Sequence, residues 1–415
     1  MKHIKHIIVS FSLVLLTLAS RADTLTVMHY NLLYYNAKYS DCDATTNSTD
    51  VKDRCLATIV AHVKPDIISV NEMGASTESA NRLLAAINAA GVGTFDRAER
   101  DANDDLITNL ILFNTQRVRL GQQQAVATTP RHTQFYTLQI VAANISLTYA
   151  VTHLKAGQTE SDTATRATAA RAIMSHIAAK NLNGNLILAG DMNIYDGSEP
   201  AMTTFCSPSA PIRLYDPIDR IGPWHENSNY ADLHTQSTRT TETSCFVHGG
   251  LDDRFDLILT SAPLLSSSNS LQFVSLKALG NDGNRFNKSI ISPANTSVPD
   301  DVAQALYDMS DHLPVVAKFI YNPTATYLEQ QQYTKFHLKV LNPIKEQAFI
   351  ELFDSNASIK QIDIYDIMGY RHVSQRYTPN TSQATLPTQN LHSGLYLLRI
   401  SLHDGRSTTV KVIKQ

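Results

Sequence analysis

The pattern of apolar and polar positions divides the chain into two regions. Between about residue 24 and residue 321, strand-like apolar runs alternate with segments of helical periodicity. Apolar runs predict strands or hairpins at 24–35, 66–73, 106–120, 137–154, 185–194, 254–261 and 312–321, and helical periodicity predicts helices at 51–62, 77–91 and 163–181. Many strands with few helices favour two packed sheets with outer helices, an α/β sandwich.

The composition changes near Asn322. Residues 322–335 are rich in Pro, Thr and Gln and poor in apolar residues, which predicts a linker at 323–335. Short apolar runs then recur at regular spacing through residues 336–415, separated by turn residues. This spacing predicts a small all-β sandwich after the linker.

The first residues of the chain, 1–22, have the pattern of an export signal peptide. Lys2 and Lys5 precede a short apolar run at 7–19, and residues 20–22 offer a cleavage site after Ala22. The run is too short to span a bilayer comfortably, although a buried helix is the alternative interpretation. We therefore expect a secreted protein without a transmembrane segment after cleavage.

Composition and charge narrow the function only slightly. The chain has 415 residues, too many for one ordinary domain, and its 43% hydrophobic and 18% charged content suits a soluble globular protein. The net charge of −3 excludes a strongly basic protein that binds nucleic acid or anionic membranes through bulk charge. A local basic groove remains compatible with this value, because net charge averages over the whole surface.

The four cysteines favour disulfides, because their number is even and the chain is expected to be exported. Pairing in sequence order would join Cys42 to Cys55 and Cys206 to Cys245. Neither pair has the spacing of a metal site, so we expect two disulfide bonds that stabilise long loops.

Polar residues suited to metal or phosphate chemistry stand at the ends of several predicted strands. They are Asn31, Glu72, His153, Asp191, Asn193, Asp256, Asp311 and His312. Each alone has a plain structural explanation, such as capping a strand or lying in a solvated loop. Because loops at one end of a rigid sheet commonly carry active sites, the whole set predicts a solvent-facing site.

The chemistry that fits this set is metal-assisted phosphoester hydrolysis. Mg²⁺ takes oxygen ligands and keeps several waters, so Glu72 with Asn31 beside it would suffice to hold the ion. The ion would neutralise charge on the phosphate and on the leaving oxygen. His312 can act as general base if an acidic partner fixes its tautomer, and Asp256 could be that partner.

The stretch LILAGDMNIYDG at residues 186–197 supplies two further groups. Asp191 and Asn193 are two positions apart, so on an extended segment both side chains would point the same way and hold one water or phosphate oxygen. Gly190 would let the backbone turn to deliver them. His153 would donate to a phosphate oxygen.

Six motifs resemble, in order, those of the endonuclease/exonuclease/phosphatase superfamily, the deoxyribonuclease I-like fold. They are HYNLL, PDIISVNE, THLKA, LAGDMN, RFDLIL and SDHLPV. The resemblance implies a four-layer α/β sandwich of two mixed sheets flanked by helices, with residues 23–322 as the catalytic domain. It also implies a divalent-metal phosphodiesterase site at the strand ends, with Mg²⁺ as the ion and Mn²⁺ or Ca²⁺ as alternatives.

The resemblance assigns roles to the same eight residues. It puts Asn31 and Glu72 at the metal, with Asp311 beside it. The catalytic roles go to the other five: His153 contacts phosphate, Asp191 and Asn193 orient the nucleophile and the phosphate, and Asp256 pairs with the general base His312.

Two features of the superfamily leave alternatives open here. Deoxyribonuclease I has a carboxylate that supports its first catalytic histidine, and the corresponding strand offers Asp104, Asp105 or Asn109 for that role. A disulfide between Cys206 and Cys245 would staple the loop between two catalytic strands, as in secreted relatives. That loop contains residues that would shape substrate binding or merely fill the loop: Trp224, His225, His234 and His248.

The C-terminal region resembles a type IX secretion sorting domain of Bacteroidota. The segments IDIYDIMGYRH, GLYLLRISLHDGR and KVIKQ carry this resemblance. It implies interaction with the type IX secretion machinery, passage across the outer membrane, and release or attachment at the cell surface. An ordinary β-sandwich binding module is the alternative.

The substrate is not fixed by the superfamily, because the loops around the phosphate site choose it. Export and disulfides favour an extracellular nuclease that acts as a monomer on DNA, with RNA as a second substrate. Arg97, Arg100, Arg131 and Lys155 are candidates for contacts to the nucleic acid backbone.

Three alternatives to a nuclease stay open. A sphingomyelinase-like lipid phosphodiesterase would need a membrane-docking loop, and the Ser-rich segment 261–276 is only mildly apolar. A phosphatase on a small, highly charged phosphoester would need a dense Lys/Arg cluster, which the sequence lacks. A non-catalytic surface binding protein would not need the complete set of polar residues.

Overall fold

The computed structural model of the chain describes residues 22–323, 338–352, 357–366, 369–404 and 406–415. The chain divides near residue 325 into two compact units. Apart from Ala22 and Pro323, the predicted signal peptide and linker lie outside the described residues. No helix in the described part of the chain combines the length and the apolar character needed to cross a membrane.

The first unit contains strands β1 to β12 and helices α1 to α5. Its strands are β1 (Asp23–Tyr35), β2 (Ile67–Gly74), β3 (Phe95–Arg97), β4 (Ile107–Asn114), β5 (Val118–Val126), β6 (Thr133–Ile140), β7 (Ile145–His153), β8 (Leu186–Asp191), β9 (Leu214–Tyr215), β10 (Asp256–Ser261), β11 (Leu271–Ala278) and β12 (Val315–Tyr321). Its helices are α1 (Thr49–Val63), α2 (Thr77–Asn88), α3 (Glu160–Ala179), α4 (Pro200–Phe205) and α5 (Asp300–Met309).

These strands form two six-stranded mixed sheets. The first has the order β11-β12-β1-β2-β4-β3, and the second has the order β5-β6-β7-β8-β10-β9. Each sheet contains one parallel pair, β1 with β2 and β7 with β8, and its other pairings are antiparallel. Their central strands are buried on both faces, which explains why they read as continuous apolar runs rather than as alternating ones.

The sheets pack on each other and are covered by helices on their outer faces. One apolar core joins Tyr30 and Val70 of the first sheet to Tyr149 and Ala189 of the second, and also includes side chains of α1, α2 and α5. A second core packs α3 and α4 against the other face of the second sheet. The predicted sandwich of two mixed sheets flanked by helices is therefore confirmed.

The topology brings the ends of six strands to one edge of the sandwich. In the first sheet β12 is antiparallel to β1, so β12 begins where β1 and β2 end. In the second sheet β10 is antiparallel to β8, so β10 begins where β7 and β8 end. The register aligns His153, Asp191 and Asp256 directly across β7, β8 and β10.

The second unit is all-β, as predicted. Its strands are β13 (Leu338–Val340), β14 (Gln347–Leu352), β15 (Ile359–Asp366), β16 (Arg371–Arg376), β17 (Gln383–Pro387), β18 (Gly394–Leu402) and β19 (Ser407–Lys414). They form a three-stranded sheet, β13-β14-β17, and a four-stranded sheet, β16-β15-β18-β19, which share an apolar core.

The disulfide pairing differs from the prediction. Cys42 is bonded to Cys245, 203 positions away, whereas Cys55 and Cys206 are free thiols. Cys55 is buried on α1 and Cys206 caps the end of α4, so each packs with its own helix. Pairing in sequence order was wrong because the loop after β1 and the loop before β10 meet at the same edge of the sandwich.

Candidate active site

The eight residues singled out from the sequence gather at the shared strand edge. Asp191, Asp256, His153 and His312 are only 2%, 1%, 4% and 4% exposed, so the predicted solvent-facing position is wrong for them. The Glu72 side chain, 13% exposed, is the most accessible carboxylate among them. The site is thus a buried polar cluster that opens to solvent on the side of Glu72.

Asn31 connects the two sheets at the centre of this cluster. Its Nδ2 donates to Glu72 Oε1 at 3.0 Å and to Asp191 Oδ2 at 2.9 Å, and its Oδ1 accepts from the Leu33 backbone N–H at 2.9 Å. The Tyr34 backbone N–H donates to Glu72 Oε2 at 3.2 Å. Glu72 itself has a φ of 57°, a strained conformation for a residue with a side chain, of the kind that collects at functional sites.

His312 forms a close pair with Asp256. The distance from His312 Nδ1 to Asp256 Oδ2 is 2.7 Å, and His312 Nε2 lies 3.8 Å from Asp191 Oδ2. Burial lowers the pKa of His312, but the negative charges of Asp256 and Asp191 outweigh this effect and hold the pKa well above its usual value. Burial raises the pKa of Asp191, and the positive charge of His312 opposes that rise.

His153 is also buried, but its pKa is shifted in the opposite direction from that of His312. Its Nε2 lies 3.5 Å from Asp191 Oδ2 and 3.8 Å from Glu72 Oε1. Burial and the nearby guanidinium of Arg131 hold the pKa of His153 well below its usual value. The imidazole is therefore neutral at physiological pH, and its Nε2 faces the two carboxylates.

The supporting carboxylate for His153 is not found among the three candidates. His153 Nδ1 is buried without a hydrogen-bond partner among the described residues. Asp104 accepts from the Thr108 hydroxyl at 2.5 Å, and Asn109 Oδ1 accepts from Asn71 at 2.6 Å. The third candidate, Asp105, is exposed.

The turn after β8 corrects the argument from residue spacing. Asn193 has a φ of 48°, so the segment from Asp191 is not extended there. The Asn193 backbone N–H donates to Asp191 Oδ1 at 3.1 Å, while its side-chain Nδ2 donates to the Leu154 carbonyl at 3.3 Å. Gly190 lies within β8, where an added Cβ would stand 2.1 Å from the Thr152 carbonyl oxygen, so it permits close strand packing rather than the turn.

Asp311 lies on the side of the cluster formed by the loop before β10. Its Oδ2 accepts from the Val247 backbone N–H at 3.1 Å and from Gln236 Nε2 at 3.4 Å. The preceding residue, Ser310, donates its hydroxyl to the Asn31 carbonyl at 2.8 Å. Asp311 is therefore tied both to the loop and to the strand that carries Asn31.

Two residues at the site were not predicted. Gln236 Nε2 stands 2.8 Å from His312 Nε2, and nothing in its loop sequence marks it. Asn71 accepts from the Asp191 backbone N–H at 2.7 Å and so joins β2 to β8. The sequence could have indicated Asn71 as a site residue, because it directly precedes Glu72.

The loop residues proposed to shape substrate binding divide into two groups. Trp224 is fully buried and donates from Nε1 to the Ile194 carbonyl at 2.8 Å, and the buried His234 contacts the Trp224 carbonyl. These two residues belong to the packed interior rather than to a binding surface. His248 is exposed, and the partly exposed His225 has its Nδ1 2.8 Å from Asp253 Oδ1.

Of the four basic candidates for phosphate contacts, Arg131 stands out. Its charge acts on Glu72 and Asp191, and its Nε is buried without a hydrogen-bond partner among the described residues. The other three are engaged elsewhere: Arg97 with Asn81, Arg100 with the Asp101 carbonyl, and Lys155 with Asp162.

The donor set at this edge fits a divalent metal ion. Ligand atoms of Glu72, His153 and Asp191 all lie within 4.8 Å of one another. Burial raises the pKa of Glu72, and the charge of Asp311 raises it further, so a cation would relieve unfavourable negative charge. The carboxylate oxygens of Glu72 and Asp191 suit a hard ion such as Mg²⁺ but do not distinguish it from Mn²⁺, and Asn31 turns its Nδ2 rather than its oxygen toward them.

Solved structures similar to this chain include endonuclease/exonuclease/phosphatase family proteins. One such protein from Bacteroides thetaiotaomicron is 15% identical, with a TM-score of 0.49 over 72% of this chain and 99% of the other. The human Nocturnin catalytic domain is 15% identical, with a TM-score of 0.47 over 72% and 97% of the two chains. A mannosyl-6-phosphatase of Bacteroides thetaiotaomicron is 15% identical, with a TM-score of 0.48 over 72% and 100%.

No curated protein matches the chain. Residues 342–415 match the family model described as a secretion system C-terminal sorting domain. The predicted export to the exterior or to the cell surface is therefore confirmed, and the C-terminal unit is a secretion sorting domain.

Proposed function

We propose that the chain is a secreted, divalent-metal-dependent phosphodiesterase that hydrolyses nucleic acid, with DNA as its main substrate. The observation that carries the proposal is the Asp256–His312 pair, in which His312 Nε2 stands 2.8 Å from Gln236 Nε2 and 3.8 Å from Asp191 Oδ2, beside the Asn31–Glu72 cluster. A histidine held by a carboxylate and aimed at a cluster of oxygen ligands is suited to activating water for attack on phosphorus.

His312 is the proton acceptor in this proposal. Asp256 holds Nδ1, so a water that takes the place of the Gln236 amide at Nε2 gives its proton to that nitrogen as its oxygen attacks phosphorus and the opposite P–O bond breaks. The negative charges of Asp256 and Asp191 raise the pKa of His312, and a cation bound among them would lower it toward the range in which the imidazole accepts a proton at neutral pH. Asp191 accepts a hydrogen bond from the same water and so orients it.

The other residues bind and orient the phosphate. Neutral His153 can donate from Nε2 to a phosphate oxygen, and Arg131 supplies positive charge near Glu72. Glu72 with Asn31 would hold the metal ion, and Asp311 would lie beside it. When bound, the ion neutralises negative charge on the phosphate and on the leaving oxygen.

Nucleic acid is favoured as substrate by where the protein goes and by what the site offers. A sorting domain sends the chain outside the cell, where free nucleic acid is an accessible phosphodiester. Arg131 provides the kind of cation that contacts a phosphate backbone irrespective of sequence. The segment 261–276 comprises the last residue of β10, a short helical turn, a Ser-rich connection at 266–270 and most of β11, which contains a bulge, so it supplies no extended apolar loop for docking on lipid.

The test is an activity screen of the purified mature chain. Plasmid DNA, RNA, sphingomyelin vesicles and a sugar monophosphate would each be incubated with Mg²⁺, Mn²⁺, Ca²⁺ or a chelator. We expect DNA degradation with Mg²⁺ or Mn²⁺ and none with the chelator. The His312→Gln variant, purified in parallel, should be inactive, which excludes a contaminating nuclease.

Two results would contradict the proposal in different ways. Cleavage of lipid or sugar phosphate with intact DNA and RNA would keep the mechanism and overturn the substrate. Absence of hydrolysis with every substrate and metal would overturn the enzymatic function itself and favour a binding protein.

A further inference from the structure

Two stacked tyrosines lie beside the metal side of the site. The ring centroids of Tyr34 and Tyr39 are 4.9 Å apart, and the planes differ by only 11°. Tyr39 is 51% exposed, so part of its ring is open to a ligand. We call this pair the aromatic shelf.

The shelf is joined directly to the candidate metal ligands. The Tyr34 backbone N–H donates to Glu72 Oε2 at 3.2 Å, and its neighbour Leu33 donates to Asn31 Oδ1. The charge of Arg131 also acts on the Tyr34 hydroxyl. The Tyr34 end of the shelf therefore borders Glu72 and Arg131, the residues proposed to hold the metal ion and the phosphate.

Buried polar contacts hold the Tyr34 side of the shelf rigid. Lys52, fully buried on α1, donates from Nζ to the carbonyls of Leu32 and Leu33 at 2.7 Å each. Asn47 Nδ2 donates to the Leu33 carbonyl at 2.8 Å. These bonds fix the turn in which Tyr34 has a φ of 50°.

The disulfide holds the Tyr39 side. Tyr39 and Cys42 exchange two backbone hydrogen bonds of 3.1 and 2.8 Å, and Cys42 is bonded to Cys245. The exposed ring of Tyr39 is thus anchored through a tight turn to a covalent link. An exposed aromatic ring that is fixed in this way loses little conformational entropy when it binds a partner.

We propose that the aromatic shelf is a subsite that stacks a nucleobase adjacent to the scissile phosphate. This inference rests on the proposed function. A flat ring beside a cation and a phosphate site is the combination by which proteins bind unpaired nucleotides, because every base offers a stacking face. Lipid headgroups and acyl chains have no such planar ring.

The experiment compares two single-stranded oligonucleotides of equal length and charge. Each has a single cleavable phosphate, and its remaining linkages are blocked. One strand has natural bases throughout, and the other has abasic sites on both sides of the cleavable phosphate. The wild-type chain should cleave the natural strand with a kcat/KM about 10-fold higher or more, as expected for loss of base stacking. Tyr39→Ala should abolish this ratio by lowering only the rate on the natural strand.

Matched variants separate stacking from general damage. Tyr39→Phe and Tyr39→Trp keep a planar ring and should retain the ratio, and Tyr370→Ala removes an exposed tyrosine of the second unit and should have no effect. Unchanged Mg²⁺ dependence and an unchanged melting temperature would show that Tyr39→Ala leaves the metal site and the fold intact.

The outcomes distinguish this inference from the proposed function. If wild type cleaves neither strand with any metal, the nuclease function fails. If wild type cleaves both strands equally, or if Tyr39→Ala lowers both rates by the same factor, the nuclease function stands and the base-stacking subsite is overturned. Loss of the ratio in Tyr39→Phe or Tyr39→Trp would also overturn it, because stacking does not require the hydroxyl.

Discussion

At the scale of single residues, the proposed mechanism depends most on the Asp256–His312 pair, because His312 accepts the proton of the attacking water. Replacing His312 by Gln removes the proton acceptor but keeps a polar side chain of similar length. We expect kcat on the best substrate to fall by at least ~100-fold, the usual contribution of a positioned general base. The measurement is steady-state hydrolysis at saturating metal and pH 7.

The control for this variant is His62→Gln, an exposed histidine in the last turn of α1. This variant makes the same substitution of histidine by glutamine at a position away from the site, so it should retain wild-type turnover. Because His312 is only 4% exposed, the circular dichroism spectrum and melting temperature of both variants should be compared first. Near-normal turnover in a folded His312→Gln variant would mean that another group takes the proton.

Glu72 gives a prediction about metal binding that does not depend on the substrate. The Glu72→Gln variant removes a negative charge while keeping an oxygen that can accept from Asn31. We expect the affinity for Mg²⁺, measured by calorimetry without substrate, to fall by about 10-fold or more, since hard cations prefer charged oxygen ligands. Glu78→Gln, at an exposed position in the first turn of α2, should bind Mg²⁺ normally. Equal affinities of the two variants would remove Glu72 from the ligand set.

At the scale of elements, the sequence predicted that the site residues would meet at one edge of the sheets. It predicted less well which hydrogen bonds and packing contacts hold each residue there. Apolar runs that lead to Asn31, Glu72, His153 and Asp191 predict strands, and strand direction brings these positions to one edge, although β1 continues to Tyr35 and β2 to Gly74. Local detail depended on non-local contacts. Gly190 is required by the carbonyl of Thr152 on the neighbouring strand, a contact that no local turn pattern encodes.

Gln236 and the disulfide show the same limit for loops. Gln236 reaches His312 across a sequence separation of 76, through a loop without a recognisable motif. Cys42 and Cys245 pair because two long loops cross at the site edge, whereas sequence order favoured nearer partners. Element positions follow from local patterns, but loop partners follow from the assembled sheets.

The disulfide itself gives a prediction at this scale. Alkylation of the denatured, unreduced chain should label Cys55 and Cys206 only, and peptide mapping should recover the Cys42–Cys245 cross-link. Closing a loop of 203 positions should contribute at most on the order of 5 kcal/mol to the free energy of unfolding. The Cys42→Ser/Cys245→Ser double variant should therefore unfold at lower denaturant, whereas Cys206→Ser should change little. Recovery of a Cys206–Cys245 peptide would contradict the structure.

At the scale of the whole molecule, the candidate site and the region that matches a secretion sorting domain lie in different units. The first unit contains the candidate site and its own apolar cores, and residues 342–415 match the sorting domain. Under the proposed function, export would restrict the substrate to phosphoesters found outside the cell. It also exposes the fold to external pH, so the response of global stability to acid becomes relevant.

Because some histidines are buried in the neutral form, the free energy of unfolding is expected to fall in acid. His29 is fully buried in β1, with Nδ1 2.9 Å from the Ser69 hydroxyl and Nε2 without a hydrogen-bond partner among the described residues. Burial lowers its pKa to about 4, although the charge of Asp256 opposes the shift. Protonation therefore favours the unfolded chain, where the pKa is close to 6.5.

The sign of the effect follows from proton binding. Between pH 6.5 and pH 4 the unfolded chain binds more protons at this residue, so the stability present above pH 6.5 is lost as the pH falls. Between pH 7 and pH 5 this single group should reduce the free energy of unfolding by about 2 kcal/mol. His153, which is also held neutral by burial, adds a loss of the same sign.

The measurement is urea unfolding of the full chain at pH 7 and pH 5 with a chelator present. The His29→Gln variant starts from a lower stability but has no imidazole to protonate at that position. Its loss between the two pH values should therefore be about 2 kcal/mol smaller than that of wild type. The exposed His62→Gln variant should lose as much stability as wild type. A His29→Gln variant with the wild-type pH dependence would mean that His29 is protonated in the folded protein, and that Asp256 forms an ion pair with it rather than being reserved for His312.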